Sequence, residues 1–445
     1  MTAAVPGRGA TPARPGGEPP VRAVPARTAM APSDPSSGSE GSDGTGASRA
    51  DVRRAAAAWS GLAEPGDRTA GSLLLAVGPV AALAWLRAAH DHGDRSRAVA
   101  RLRERIDDPV EELTPRRLLA ALDRWGPRLG RVDPDRDARA LRELGGRVLV
   151  RGDEGWPHGL DDLGPAAPAC LWVRGDPRAL LGPPAVALVG ARAATGYGTA
   201  VAADLACGLA DRGHAVVSGG AYGIDAAAHR GALAGDGPTV AVMAGGADRL
   251  YPAGNTDLLE RVLARGGAVV AEVPVGATPT RSRFLRRNRL IAALSAATVV
   301  VEAAWRSGSL STATHAAGLL RPVGAVPGPV TSMASTGCHR LLREHDAVCV
   351  TSVADVLELL PGGAPSEGAG ETHHDPRDAL RDVAREVLDG FDARRPTTLD
   401  ELVPAVGIAA SDVLAALGEL ELAGLVARAA GGWELTVAAR RPTAR

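Results

Sequence analysis

The chain has 445 residues, 45% apolar and only 3% aromatic, so it is long enough for several domains with cores built from Ala, Val and Leu. Its formal net charge of -1 excludes a uniformly basic surface but not a local basic groove. None of its 50 basic residues is lysine, so every side-chain contact to an anion from Lys or Arg positions is a planar guanidinium fork.

Residues 1–48 are rich in Pro, Gly, Ser and Ala, with too little apolar surface to offset ordering entropy, and are predicted disordered. They lack the apolar core of a signal peptide. The apolar run 73–86 is broken by Gly78-Pro79 and is shorter than the roughly 20 residues a bilayer demands. The four cysteines, Cys170, Cys207, Cys338 and Cys349, form no C-x-x-C pair and read as buried thiols in a reducing compartment. A cytoplasmic location without membrane attachment is expected.

Residues 49–147 place Ala, Leu and Arg at helical spacing and predict a small helical domain of the SAM-like or helical-hairpin type. Gly78-Pro79 reads as its hairpin turn. Such turns sometimes offer backbone N–H groups to a phosphate, but a plain helical bundle is the preferred reading. A connector, 148–182, contains a short strand at 171–173.

Residues 183–361 change character. Apolar strands are predicted at 186–189, 215–218, 239–243, 268–272, 298–302 and 323–326, with an edge strand at 347–350. Helical stretches separate them. Near-continuous apolar strands alternating with helices predict a parallel, doubly wound α/β sheet covered on both faces. Ligands of such sheets bind beyond the carboxyl ends of the strands. There the sequence places Gly190-Ala191-Arg192, then Ser218-Gly219-Gly220-Ala221-Tyr222-Gly223, Gly245-Gly246, Ser307-Gly308-Ser309 and Gly328. Several Gly-rich loops on one edge bring backbone N–H groups and helix N-termini together, which suits anionic oxygen. The loops match neither G-x-x-x-x-G-K-[ST] nor G-x-G-x-x-G, so an ATPase and a dinucleotide dehydrogenase are both disfavoured, and no cofactor is expected. Between the fourth and fifth of these strands lies Arg281-Ser282-Arg283-Phe284-Leu285-Arg286-Arg287-Asn288-Arg289, with five arginines around one of the two phenylalanines. Guanidinium forks for phosphate beside a ring for a base are the pairing that single-strand binding uses, although an isolated charge run is more often a solvated face.

A Gly, Pro, Glu and His linker, 362–376, precedes 377–440, which read as three helices and a hairpin, a winged helix. Thr398 to Glu401 form a capping box, Gly407 turns the chain, Ser411 is expected to cap the next helix and Gly431-Gly432 to turn the hairpin. That helix carries Asp412, Glu419 and Glu421 and no basic or amide residue, so it is not expected to read duplex DNA. Trp433 reads as wing packing.

Gly190-Ala191-Arg192, Ser218 to Asp225 with His229, Tyr251-Pro252 with Asn255, Phe284 with Arg287-Asn288-Arg289, and Ser307 to Leu310 with Thr312 occur in that order. This set resembles the DNA-processing protein A family, also called Smf, over about 161–360. The resemblance implies a Rossmann-like core that holds single-stranded DNA, self-dimerisation, delivery of DNA to a RecA-type recombinase and a role in natural transformation. By motif match it implies phosphate contacts from Arg192 and Arg289, and backbone contacts from Gly190, Ser218, Gly219, Gly220, Gly223, Ser307, Gly308 and Ser309. Phe284 would face a base, with Arg287 and Asn288 beside it. Two departures lower the positive charge: Ala253 stands where the family often has Lys, and Tyr222 where it often has a basic residue.

The alternative is an enzyme that cleaves nucleoside monophosphates, whose related fold uses a Pro-Gly-Gly-x-Gly-Thr-x-x-Glu loop. Here His315 stands at the Glu position, which disfavours hydrolysis. Asp225 and His229 admit a general acid/base reading, but a loop cap over a packed imidazole is preferred. Glu302 is open between catalysis and loop anchoring. His373-His374 lack metal-ligand company, so no metal is assigned.

Overall fold

The structure, a computed structural model, describes residues 47–91, 93–106, 110–362, 380–392, 395–436 and 439. The disorder expected for 1–48 and the linker with His373-His374 therefore lie almost wholly outside the described residues.

The helical domain comprises α1 (Arg49–Leu62), α2 (Arg68–Asp91), α3 (Arg95–Arg103), α4 (Pro115–Trp125) and α5 (Pro134–Glu143). Ser48 and Asp51 form a capping box that opens α1. By length and composition α2 passes for a membrane span. Yet Gly78, at φ 76° and ψ 159°, splits it into two helices, and Leu73, Ala82 and Leu86 are wholly buried in the bundle core. The break itself is packed: Trp59 donates its indole N–H to the Pro79 carbonyl at 3.2 Å and meets Trp125 edge-on at 5.0 Å.

A nine-stranded sheet follows. Its strands are β1 (Gly146–Leu149), β2 (Leu171–Gly175), β3 (Val186–Val189), β4 (Val216–Ser218), β5 (Thr239–Met243), β6 (Ala268–Ala271), β7 (Ala297–Val300), β8 (Val323–Ala325) and β9 (Val348–Cys349). The spatial order is β1-β2-β6-β5-β4-β3-β7-β8-β9. From β3 onward every pairing is parallel, the doubly wound core expected from the apolar strands. The part that differs is the edge. The connector folds into the sheet, with β2 antiparallel to β6 (Trp172 opposite Ala271) and β1 antiparallel to β2. Gly146-Arg147-Val148-Leu149 escaped notice because only two of its four residues are apolar.

Between strands run α6 (Gly196–Ala210), α7 (Ile224–Ala234), α8 (Thr256–Ala264), α9 (Arg281–Ala293), α10 (Ser309–Gly318), α11 (Thr336–Glu344) and α12 (Val353–Glu358). They form two cores. Val189, Val217, Val242 and Val300 pack with Leu290, Ile291 and Leu341 on one face, and Val186, Leu188, Val216 and Val299 pack with Leu205, Leu209 and Ile224 on the other. Each fully buried Val or Leu contributes roughly 1.5–3 kcal/mol.

The winged helix has α13 (Asp382–Asp389), α14 (Leu399–Val406), α15 (Ala410–Leu422), β10 (Val426–Ala429) and β11 (Gly432–Leu435). The Thr398–Glu401 capping box and the left-handed Gly407 are present as expected. Two details shift. The α15 N-cap is Ala409, without a side-chain bond, so Ser411 lies inside the helix. Ala429 pairs with Gly432, so Ala430-Gly431 makes the turn.

Candidate nucleic-acid interface

Sheet order reverses between β3 and β7, the place where loops diverge and leave a crevice. A cavity of about 620 Å³ opens there. The end of β3 with Gly190 and Arg192, the α9 helix, and Arg306 to Ser309 at the start of α10 line it. The α10 N-cap, Gly308, has no side chain, and the Ser309 N–H donates to the neutral Ser307 hydroxyl at 3.4 Å, so the N-terminal dipole of α10 meets no charged cap at this cavity.

Thr280 caps α9, accepting the Arg283 N–H at 3.2 Å. The helix then divides its arginines by phase. Phe284, Arg287, Asn288 and Ile291 share one face and line the cavity. Arg283, Arg286 and Arg289 lie on another face and tie α9 to the chain that precedes the core. Arg283 grips the Glu64 carboxylate with two bonds of 3.1 Å, and Arg286 donates to the Pro65 carbonyl at 3.0 Å. Arg289 forms a bidentate pair with Glu272 at 2.6 and 2.8 Å and also donates to the Ala166 carbonyl at 3.0 Å. Burial pushes the Glu64 carboxyl up, but Arg283 and Arg128 outweigh it and hold the group below the usual carboxylate range.

Arg287 forms the floor. It donates to the carbonyls of Gly219 and Val242. Burial lowers its pKa to about 10, against the opposing charge of Asp225, so it stays cationic at neutral pH. Burial raises the Asp225 carboxyl, and Arg287 opposes that shift. A Cβ on Gly219 would come within 2.6 Å of both the Arg287 guanidinium and the Asp225 carboxylate, so only glycine admits this pair. Asn288 fixes the opposite wall by donating to the Gly308 carbonyl at 3.1 Å. At the mouth the Arg192 guanidinium carbon sits 4.7 Å from the Phe284 ring centroid. Arg192, Arg281 and Arg306 are exposed. Among the described residues none of these three makes a hydrogen bond or ion pair. Three unneutralised guanidiniums around one half-buried ring make the cavity strongly electropositive.

The other candidates resolve as scaffold. Glu302 accepts the Thr195 N–H at 2.9 Å and its hydroxyl at 2.6 Å, anchoring the first loop. Asn255 donates to the Gly220 and Ala221 carbonyls and holds the second. His229 is fully buried. Its Nδ1 bonds Thr239, whose hydroxyl donates to the Val216 carbonyl, so Nδ1 carries the proton. Burial lowers its pKa to about 4, and it does not line the cavity.

A family model described as DNA recombination-mediator protein A matches residues 147–361, and one described as DprA winged helix domain matches 371–432. The putative DNA processing protein DprA of Mycobacterium tuberculosis is 46% identical over 316 residues, covering 67% of this chain and 79% of that one. The chain belongs to the DNA-processing protein A family. Protein Smf of Escherichia coli is 36% identical over 271 residues, 60% of this chain and 71% of its own. The solved structure of DNA processing protein A from Streptococcus pneumoniae is 28% identical, with a TM-score of 0.52, over 70% of this chain and 98% of that one. As a DNA-processing protein A the chain is a single-stranded DNA-binding recombination mediator.

Within this family member the motif residues divide. Gly190, Arg192, Phe284, Arg287, Asn288, Ser307, Gly308 and Ser309 line the cavity. Ser218, Gly219, Gly220, Gly223 and Arg289 do not. Ser218 is wholly buried and donates to the Leu188 carbonyl at 2.6 Å. Gly219 and Gly220 offer their carbonyls inward, to Arg287 and Asn255. Gly223, at φ 74°, turns the chain into α7. The phosphate contact expected of Arg289 is corrected: Glu272 neutralises it and it is 4% exposed. Arg306 was missed, although its place directly before Ser307-Gly308-Ser309 was a signal.

Proposed function

We propose that this DNA-processing protein A seats a single strand in the β3–β7 cavity. Phosphates are held by Arg192, Arg281, Arg306 and the α10 N-terminus, and a base lies against Phe284. What carries the reading is the convergence of three unpaired guanidiniums and one ring on a single cavity. Arg287, braced by two carbonyls, supplies fixed positive charge beneath. The test is titration of labelled single- and double-stranded oligonucleotides across salt. Each neutralised phosphate contributes about -0.7 to the slope of log affinity against log salt, so the three phosphate-holding arginines set a slope of about -2. Equal affinity for duplex, or a flat salt response, sinks the model.

The family assignment supports a wider reading: the bound strand is protected and passed to a RecA-type recombinase during natural transformation, by a homodimer formed through the Rossmann-like domain, in the cytoplasm. Strand exchange by such a recombinase on coated DNA, with and without the chain, tests the transfer. Sedimentation tests the dimer.

A further inference from the structure

Trp305 stands between β7 and α10, one residue before the cavity-lining Arg306. It is 51% exposed, whereas Trp59, Trp125, Trp156 and Trp172 are at most 2% exposed. A large ring left in water is costly unless something stacks on it. Its position is nevertheless fixed. Ala303 donates to the Ala334 carbonyl at 2.8 Å and accepts the Gly337 N–H at 2.7 Å, fastening this loop to the start of α11. One turn further along, Arg340 places its guanidinium carbon 5.0 Å from the Trp305 ring centroid, with Nε held by Glu344 at 3.0 Å. The arrangement repeats, outside the cavity, the pairing of Arg192 over Phe284 within it.

We propose that Trp305, backed by Arg340, is a second base-stacking platform, taking the nucleotide that leaves the cavity past Arg306. This rests on the cavity reading above. A ring with one guanidinium against it and a cavity-lining arginine next in the chain matches a base and its phosphate, the recognition chemistry of single strands. The second site lengthens the footprint without demanding sequence.

The experiment uses the full chain and labelled oligo-dT of graded length at fixed salt, with Trp305→Ala, Trp305→Phe and Arg192→Glu variants. Trp305→Ala lowers affinity for long oligonucleotides by about 10-fold, within the range measured for one stacked base. It leaves the salt slope and the unfolding midpoint unchanged, and the deficit vanishes for strands too short to leave the cavity. Trp305→Phe retains most of the affinity. If Trp305→Ala binds every length like the wild type while Arg192→Glu fails, the platform is overturned and the cavity stands. If Arg192→Glu also binds normally, both are overturned. If Trp305→Ala keeps its DNA affinity but loses association with a RecA-type recombinase, the ring docks protein and the platform is overturned.

Discussion

Arg192 and Arg289 are both arginines of the family motifs, yet substitution separates them. Arg192 lies against the Phe284 ring and, among the described residues, makes no hydrogen bond or ion pair. Arg192→Glu is expected to fold normally and to weaken single-strand binding at least 10-fold, since a lost charge-assisted contact costs about 1.5–3 kcal/mol and reversal adds repulsion. Arg289→Ala strands a buried Glu272 carboxylate, and breaking such a pair costs about 3–5 kcal/mol. Its defect is expected in denaturant unfolding first. Wild-type stability with lost DNA binding in Arg289→Ala would refute this division. The sequence displayed the charge of 281–289 but not its partners, because Glu64 lies 219 residues from Arg283. His229 gives a pH signature. Unfolded, it takes a proton below its ordinary pKa of 6.5; folded, it does so only near 4. Its effect is absent above pH 6.5. Stability falls as pH drops from there toward 4 and levels below, by about 3 kcal/mol in all. A stability profile of His229→Gln that keeps the full wild-type slope between pH 6.5 and 4 would contradict this.

At the scale of elements, the parallel strands were legible because a strand covered on both faces must be nearly all apolar and must end where glycine lets the chain turn. The apolar core of β2 was legible as a strand at 171–173, but its antiparallel place in the sheet was not, and β1, an edge strand with only two apolar residues, carried no such signal. The loops were legible as a group, but their division was not: the second glycine loop serves Arg287 and Asn255 with its carbonyls, whereas the loop before α10 faces the cavity. Gly308 distinguishes the two kinds. Its φ of -64° suits any residue, and a Cβ there meets nothing within 4 Å. Gly308→Ala is therefore expected to unfold at the wild-type temperature while binding single strands several-fold more weakly. Unchanged affinity would show that no strand approaches this turn. By contrast, Gly219→Ala collides with the Arg287–Asp225 pair.

At the scale of the whole molecule, the cavity is complete without the winged helix. None of its lining residues lies beyond Thr312. The α15 helix carries Asp412, Glu419 and Glu421, and Leu422 is 92% exposed, a surface unsuited to the phosphate walls of a major groove. Removing residues 362–445 is expected to leave single-strand affinity within a few-fold, under about 1 kcal/mol. Tight duplex binding by the isolated winged helix at physiological salt would overturn the charge argument. The Gly-rich loops and the arginine cluster of 281–289 had already placed the binding function in the middle of the chain.

The α9 helix holds the cavity-lining Phe284, Arg287 and Asn288 and the seam to the helical domain on two faces of one cylinder. Each residue advances the helix by about 100°, so both functions share a single angular phase. Losing one residue between Thr280 and Phe284 would swing the ring out of the cavity and the Arg283 fork off Glu64 in the same turn. The protein has no way to slip this helix and lose only one of them.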